Sequence, residues 1–317
     1  MMDRLKQMNP VFLVLLLLFV AIAILSPYFL QPTGYMNFLK RAAPIAILAV
    51  GQLYVINSGG FDLSAGALVT LTVIGSSILL DGEASATWWV ILAMLGVGVT
   101  VGTVNALVVS WLRVPSIIAT LGMMITLSGI ALTWSGGAPR GYLPENFRFF
   151  GRFLIKDLPL IKILPVAVIV MIVVCALLWW LMHRTNYGKR LIAMGDNPKA
   201  ALLAGVPLTQ TRIVAFAMSS ISAVIAGILL GGFAGVSTDV GVGLELQAIT
   251  AAVIGGAQLL GGRGTVGATI AGALVLQAMF TLLNILGFPK PVRDVVQGLI
   301  LISAVVIAGY RRRRSGG

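Results

Sequence analysis

Few side chains in this sequence can do chemistry, and those that can lie where water should be scarce. Asp62 sits in Gly59-Gly60-Phe61-Asp62-Leu63-Ser64, between two apolar arms. Two adjacent glycines and a carboxylate have little use on a lipid-exposed helix, because unsatisfied polar groups are costly in hydrocarbon. The stretch should therefore face protein or a water-filled path. A carboxylate at the bilayer centre costs roughly 2.5 to 3.5 kcal/mol, so Asp62 is expected to cap a helix, pair with an ion or line a pathway. As a cap it would accept free N–H groups at the start of the helix that follows; as a pathway residue it would touch cargo.

Glu245, in Gly243-Leu244-Glu245-Leu246-Gln247, opens a second apolar run, where an acidic first turn complements the helix dipole. Arg263 is the other charge at comparable depth. Gln52, Asn57, Asn105, Gln247 and Gln277 are polar residues inside apolar runs. They can hydrogen-bond a hydroxylated solute, or one another across helices. Catalysis finds no foothold. The single histidine, His183, ends an apolar run, and there is no His-Glu-x-x-His, cysteine cluster or Gly-x-Ser-x-Gly elbow, so no catalytic or metal-ligating residues are assigned. A Gly-x-x-x-x-Gly-Lys-Ser/Thr loop is also missing, so any ATP-driven work needs an engine on another polypeptide. Cys175, alone within residues 166–182, reads as a small buried hydrophobe.

The elements that must position these groups are apolar almost throughout. Of 317 residues 58% are hydrophobic and 10% charged, against about 25% charged in soluble domains, and the mean hydropathy is +1.01. This is the composition of a polytopic membrane protein with one integral domain over residues 1–317. The net charge of +12 resides in short loops and at the ends of apolar runs, which suits membrane orientation and lipid headgroups rather than nucleic acid. Near the start, Arg4 and Lys6 precede an apolar run containing Ala21-Ile22-Ala23. A cleavable signal is one reading; the run's continuation to Tyr28 and Phe29 favours an uncleaved first helix.

Apolar runs over residues 11–29, 43–56, 63–80, 88–112, 116–134, 164–182, 213–233, 246–260, 265–286 and 292–310 predict an all-α bundle of about ten spans. The arm at 43–56 is short for a bilayer, so a broken or re-entrant segment is expected within 43–80. An even count puts both termini on one side. Arg311 to Arg314 mark that side as cytoplasmic, and the acidic loop 81–87 fits the outside. The loop 135–162 dissents, since Arg140, Arg148, Arg152, Lys156 and Lys162 fall on the external side. Residues 49–71 and 252–274 carry glycine interruptions at comparable places in each half, as an inverted repeat or as a chance likeness of Gly-rich helices. Gly98 and Gly102, and Gly227, Gly231 and Gly235, are spaced for close helix packing.

The polar loop 183–212 is the second distinctive segment. Asn197 is a good N-cap, Pro198 suits the first helical position, Gly205 a left-handed stop, and Pro207 blocks continuation. A helix of about two turns is predicted, with a slim face at Ala200, Ala201 and Ala204 and charge from Lys189, Arg190 and Lys199. It could seat in a groove on a partner or lie solvated against headgroups.

Three motifs in order, Ala49-Val50-Gly51 with Gly59-Gly60-Phe61-Asp62-Leu63-Ser64-Ala65-Gly66, then Tyr187-Gly188-Lys189-Arg190 through Asn197-Pro198-Lys199-Ala200-Ala201 to Gly205, then Glu245-Leu246-Gln247-Ala248-Ile249 into Gly255-Gly256 and Gly261-Gly262-Arg263-Gly264, run nearly the length of the chain. In them the chain resembles permease subunits of bacterial ABC importers of the ribose, xylose and galactose type, within the branched-chain amino acid/ribose permease superfamily. Phe61, Gln52 and Asp196 stand where that family usually has Ile, Met and Gly. The resemblance implies a permease in the bacterial inner membrane, working with a second identical or related permease. Two cytoplasmic ATPase subunits or a fused tandem ATPase, and a periplasmic sugar-binding protein, would complete the complex. No cofactor would bind this chain; ATP and Mg would sit on the ATPase. The helix from Asn197 to Gly205 would be the coupling helix, with Tyr187 and Gly188 in the same motif. Gln52, Asn57, Gly59, Gly60, Phe61, Asp62, Ser64, Asn105, Glu245 and Gln247 would line or gate the path. An ion-coupled secondary transporter and a passive channel are the competing classes; the first needs a relay of ionisable groups, for which Asp62 and Glu245 are a meagre supply.

Overall fold

The computed structural model describes residues 10–159, 162–259 and 261–315; Arg4, Lys6 and Leu260, used in reading the first and eighth runs, fall outside them. Helix α1 (Pro10–Leu25) leads through a 3-10 turn (Pro27–Leu30) into α2 (Pro32–Asn57). The first run thus stops short of Phe29. Pro27 lacks an N–H and drives Ser26 out of the helical region, to φ −139° and ψ 90°.

Helix α2 begins well before residue 43. Lys40, Arg41 and Pro44 look like a boundary in the sequence, yet the helix passes through all three. Lys40 places its ammonium 5.7 Å from the centroid of the Phe233 ring, a cation–π contact that suits a long amphipathic side chain on an apolar surface. At 26 residues the arm measures about 39 Å, enough to cross a bilayer.

Helices α3 (Ala65–Leu80), α4 (Thr87–Trp111) and α5 (Ser116–Ser135) follow. The loop expected at 135–162 is largely folded, into α6 (Glu145–Arg152) and an antiparallel hairpin of β1 (Leu154–Leu158) and β2 (Lys162–Pro165). That hairpin is a small departure from the all-α expectation. Then come α7 (Val166–Arg184), α8 (Asn186–Asp196), α9 (Pro198–Leu203), α10 (Leu208–Ala234), α11 (Leu244–Ile254), α12 (Val266–Ile285) and α13 (Lys290–Ser315). Among the described residues six helices, α2, α4, α5, α7, α10 and α12, are long and apolar enough to cross a membrane. Three shorter apolar helices, α1, α3 and α11, lie among them.

The apolar window of α2 is 83% buried and that of α5 only 17%, so α2 is central and α5 peripheral. Helix α10 packs on α4, α2, α3 and α6, and α12 on α11, α1 and α2. A Cβ built on Gly102 would lie 2.6 Å from the Phe216 carbonyl oxygen, so α4 and α10 touch through backbone as the glycine spacing predicts. Gly235 departs from that expectation: it has open space around it and stops α10 at φ +86°.

The two ends of the bundle are distinct. At one, Asn146 accepts from Thr87 Oγ1 (2.8 Å) and donates to the Ala84 carbonyl (2.7 Å). At the other, Arg212 Nη1 donates to Ser110 Oγ (3.0 Å), beside α8 and α9. Helix α4, 25 residues or about 37 Å long, separates them.

Candidate functional site

Between α2 and α3 the backbone leaves the helical path over residues 58–64, and every N–H in it finds a partner. Ser58 N donates to the Tyr54 and Val55 carbonyls, Gly59 N to Ile56 and Gly60 N to Val55. Phe61 N donates to Ser116 Oγ (3.1 Å) and Leu63 N to Thr120 Oγ1 (3.0 Å), both on α5. With its amide in the orientation that satisfies both groups, Gln52 serves Asp62 twice: its oxygen accepts from Asp62 N (3.0 Å) and its nitrogen donates to the Asp62 carbonyl (3.2 Å). Ser64 N donates to Asp62 Oδ1 (2.9 Å). Gly59 turns the chain at φ +82°, a conformation that favours glycine. Broken backbone at membrane depth is tolerated only where protein satisfies it, and here every N–H of the break is satisfied.

Asp62 is fully buried. Oδ1 accepts from the Ser64 N–H and from Ser64 Oγ (2.6 Å), and Oδ2 accepts from Ser219 Oγ on α10 (2.8 Å). Asn105 Nδ2 on α4 extends the cluster by donating to Ser64 Oγ (3.0 Å). Of the sequence alternatives, capping is nearest, with a difference. The carboxylate reaches the N–H of Ser64, the N-cap residue itself, and otherwise takes hydroxyls, so it ties the break to α10 more than it caps α3. Among the described residues no charged side chain lies within hydrogen-bonding distance of it, and it faces protein. Gln52 and Asn105 likewise bond protein groups.

Glu245 occupies the first turn of α11, as the dipole argument predicts. It is half-buried, and a Cβ added to Gly66 at the start of α3 would overlap its carboxylate. Gly241 N donates to Thr70 Oγ1 on α3 (3.0 Å), so the segment between α10 and α11 dips back into the bundle to begin α11 beside the first break. Phe61 and Gln247 are half-buried nearby on their elements, Gly60 is buried, and Val242 and Leu246 are exposed. Gln277 lies away on α12, where its carbonyl accepts from Thr281 Oγ1.

The two glycine interruptions that look paired in the sequence touch in the fold. Gly262 N donates to the Asn57 carbonyl (3.1 Å), and Asn57 Nδ2 donates to the Gly264 carbonyl (3.3 Å). Asn57 Oδ1 is buried without a hydrogen-bond partner. Gly195, in the last turn of α8, lies against the same spot: a Cβ there would overlap the Asn57 carbonyl oxygen and the Gly262 nitrogen. A Cβ on Gly261 would stand 3.0 Å from the α-carbons of both Gly195 and Gly59. Three chain segments thus meet backbone to backbone.

The segment 183–212 holds more structure than expected. The short helix is α9, with Asn197 Oδ1 accepting from Ala200 N (3.1 Å) and Gly205 at φ +80° as its stop. Before it stands α8, capped by Thr185 Oγ1 accepting from Tyr187 N (3.2 Å). Tyr187 turns inward: its ring stacks on Tyr54 at 6.1 Å and 16°, and its hydroxyl donates to the Thr211 carbonyl (3.2 Å). Burial pushes its phenol pKa up, with Tyr54 adding to the shift. A Cβ on Gly188 would overlap the Met182 carbonyl, so Tyr187 and Gly188 fasten the segment to the bundle.

The slim face also needs correcting. Ala201 is buried against the chain's own bundle, whereas Pro198, Ala200, Ala204 and Gly205 are exposed beside Leu202 (61%) and Leu203 (90%). The free face of α9 is therefore leucine-rich. Lys189, Arg190 and Lys199 surround it, all exposed. The side chains that sequence reasoning missed are Ser116, Thr120 and Ser219, which hold the break, and Gly195, which joins α8 to it.

A family profile described as "Branched-chain amino acid transport system / permease component" matches residues 34–305. Relatives include the ribose import permease protein RbsC of Bacillus subtilis (strain 168), 33% identical over 311 residues, covering 96% of this chain and 94% of that protein. The ribose import permease protein RbsC of Escherichia coli (strain K12) is 33% identical over 296 residues, covering 92% of this chain and 91% of that protein. The autoinducer 2 import system permease protein LsrC of Yersinia pestis (strain Pestoides F) is 31% identical over 301 residues, covering 95% and 84%. No solved structure matches the chain. With a profile spanning most of its length and relatives at this identity, the chain belongs to the branched-chain amino acid transport system permease family.

Proposed function

We propose that this chain is the membrane-spanning permease subunit of an ATP-driven importer that takes a monosaccharide or related polyol into the cytoplasm. Relatives named as ribose import permeases, aligned over nearly the whole chain, support the cargo class. A second permease, identical or related, two ATPase subunits or one fused tandem, and a periplasmic sugar-binding protein complete the complex. ATP and Mg act on the ATPase; this chain holds no cofactor. It lies in the bacterial inner membrane as one domain of about ten spans, formed by α1 to α5, α7 and α10 to α13, with both termini and the α8–α9 segment in the cytoplasm.

The observation that carries the mechanism is the seat of Gly195 against Asn57 and Gly262. The exposed leucines of α9 dock on the ATPase, and ATP-driven closure moves α9 with α8. Because α8 ends on the backbone of both helix interruptions, the motion reaches the α2–α3 break and the segment before α12 directly. The two permeases then rock between outward and inward access. Glu245, Gln247 and Phe61, which are half-buried, meet the solute in this reading; Asp62, Ser64, Gln52 and Asn105 hold the break in shape. Proteoliposomes carrying the permease, with and without ATPase and binding protein, test the reading against a panel of monosaccharides and polyols. ATP-dependent uptake of one sugar with ion gradients collapsed is expected. Uptake that follows an ion gradient, or proceeds without ATPase, would overturn it.

A further inference from the structure

The basic loop that runs against the charge bias folds into a defined surface. Helix α6 turns Phe147 and Gly151 inward against α10 and leaves Phe149 and Phe153 exposed, their rings 4.8 Å apart. Between α6, β1 and the first turn of α4 lies an open cleft of about 830 Å³. Trp88, Phe149, Phe150, Phe153 and Leu154 form its apolar wall, with Trp88 meeting Phe150 edge-on at 6.0 Å. Arg148, Arg152 and Lys156 also line it, against the single carboxylate of Glu145. Arg148 spends its Nε on the Gly232 carbonyl (3.3 Å), which holds the guanidinium in place. Arg152 stands near enough to Lys40 for their charges to interact, so the positive field extends onto α2.

The depth of this cleft follows from its neighbours. Trp88 and Trp89 are 64% and 77% exposed in the first turn of α4, a spanning helix whose apolar window is only 39% buried. Exposed tryptophans at the end of an outward-facing span mark a membrane–water interface. A cleft at that level, apolar along its walls and cationic at its rim, fits a molecule with acyl chains below and a negative group above. We infer that the cleft formed by α6, β1 and Trp88 is a binding site for the headgroup of an anionic phospholipid, with Arg148, Arg152 and Lys156 on the phosphate and the aromatic wall against the glycerol and upper chains. The loop keeps its cations at this end of the bundle, opposite α9, because they have a ligand there.

The test uses the full chain purified in detergent and reconstituted in phosphatidylcholine nanodiscs with graded phosphatidylglycerol, bound lipid being counted by native mass spectrometry. Each interfacial cation contributes about fivefold to binding of an anionic surface, so Arg152→Gln with Lys156→Gln should weaken phosphatidylglycerol binding about 30-fold. Arg152→Lys with Lys156→Arg keeps the charge and should keep most of the binding. Lys189→Gln with Arg190→Gln, at the opposite end, should leave it unchanged. Wild-type retention in the first variant, or equal competition by phosphatidylcholine, overturns the proposal. So does a first variant that binds lipid normally but loses affinity for a soluble binding protein, since that result makes the cleft a protein dock. Failure of transport leaves this measurement intact, because no cargo enters it.

Discussion

Replacing Asp62 by leucine should destabilise the bundle by about 2 to 4 kcal/mol, and replacing it by asparagine by less than about 1 kcal/mol. The arithmetic starts from three donors: the Ser64 N–H, the Ser64 hydroxyl and the Ser219 hydroxyl, all ending on one buried carboxylate. Leucine removes every acceptor at once. A buried donor left unsatisfied costs about 1 to 3 kcal/mol, but the Ser219 hydroxyl can turn toward a carbonyl of its own helix, as Thr72 already does toward Leu68. The Ser64 N–H is stranded at full cost, and the Ser64 hydroxyl, at the N-cap of α3, has no preceding helical turn to bond. Asparagine keeps Oδ1 for both Ser64 donors, and its amide can donate to a rotated Ser219 hydroxyl.

The assay is reversible denaturation by SDS in mixed micelles, run on both variants, on Ser219→Ala and on the Asp62→Leu, Ser219→Ala pair. The cycle should give a coupling of about 1 kcal/mol, since both single changes break the same bond. Uptake by Asp62→Asn should stay near wild type, because a residue with no exposed surface has little cargo to lose. If asparagine and leucine were equally defective at normal membrane abundance, the charge itself would be needed, and hydrogen-bond accounting would be the wrong explanation.

Gly195→Ala should leave ATP hydrolysis by the assembled complex intact while uptake falls, because the added methyl must push α8 off Asn57 and Gly262; unchanged uptake per ATP would refute the relay. Leu203→Asp, at a 90% exposed position, should cost the fold under about 0.5 kcal/mol yet release the ATPase on purification, which co-elution would contradict. Ala201→Trp should instead lower the folded yield, since that side chain faces the bundle, and normal yield would restore it to the docking face. Single cysteines in a Cys175→Ala background should react with an impermeant reagent from outside at position 85 but not at 197 or 315, and labelling at 315 in intact cells would sink the proposed orientation.

What the sequence revealed and what it hid divide along a physical line. The break at Gly59-Gly60 was legible because glycine pairs and a carboxylate are improbable in hydrocarbon, and α9 was legible because Asn197, Pro198 and Gly205 act locally. Ser116, Thr120 and Ser219 were not. A serine or threonine inside a span ordinarily bonds its own helix, as Thr120 does with Ser116 (2.8 Å), and nothing local announces that it also receives a backbone N–H from another element. The apolar run at 43–56 omits the first turns of α2 because Lys40 and Arg41 interrupt the apolar pattern; in the fold the helix passes through both, with Lys40 over the Phe233 ring. Helix α6 carried a signal that could have been used: Pro144 and Glu145 at its start, Arg152 at its end, and Phe147 with Gly151 four apart on the buried face.

The junction of Gly59, Gly195, Gly261 and Gly262 was hidden for a different reason. Each glycine looked like a turn or a packing residue within its own segment, and only the fold brings them together. The chemistry of the contact then suits a mechanical task. A large side chain between two moving segments can change rotamer and absorb a displacement, whereas backbone against backbone leaves no rotamer to change. Two of the hydrogen bonds across the contact, Gly262 N to the Asn57 carbonyl and Asn57 Nδ2 to the Gly264 carbonyl, run between the interruptions themselves. A shift of α8 therefore strains both interruptions in the same step. Among the described residues Asn57 Oδ1 is buried at this junction without a partner, so it can accept a donor when the segments move.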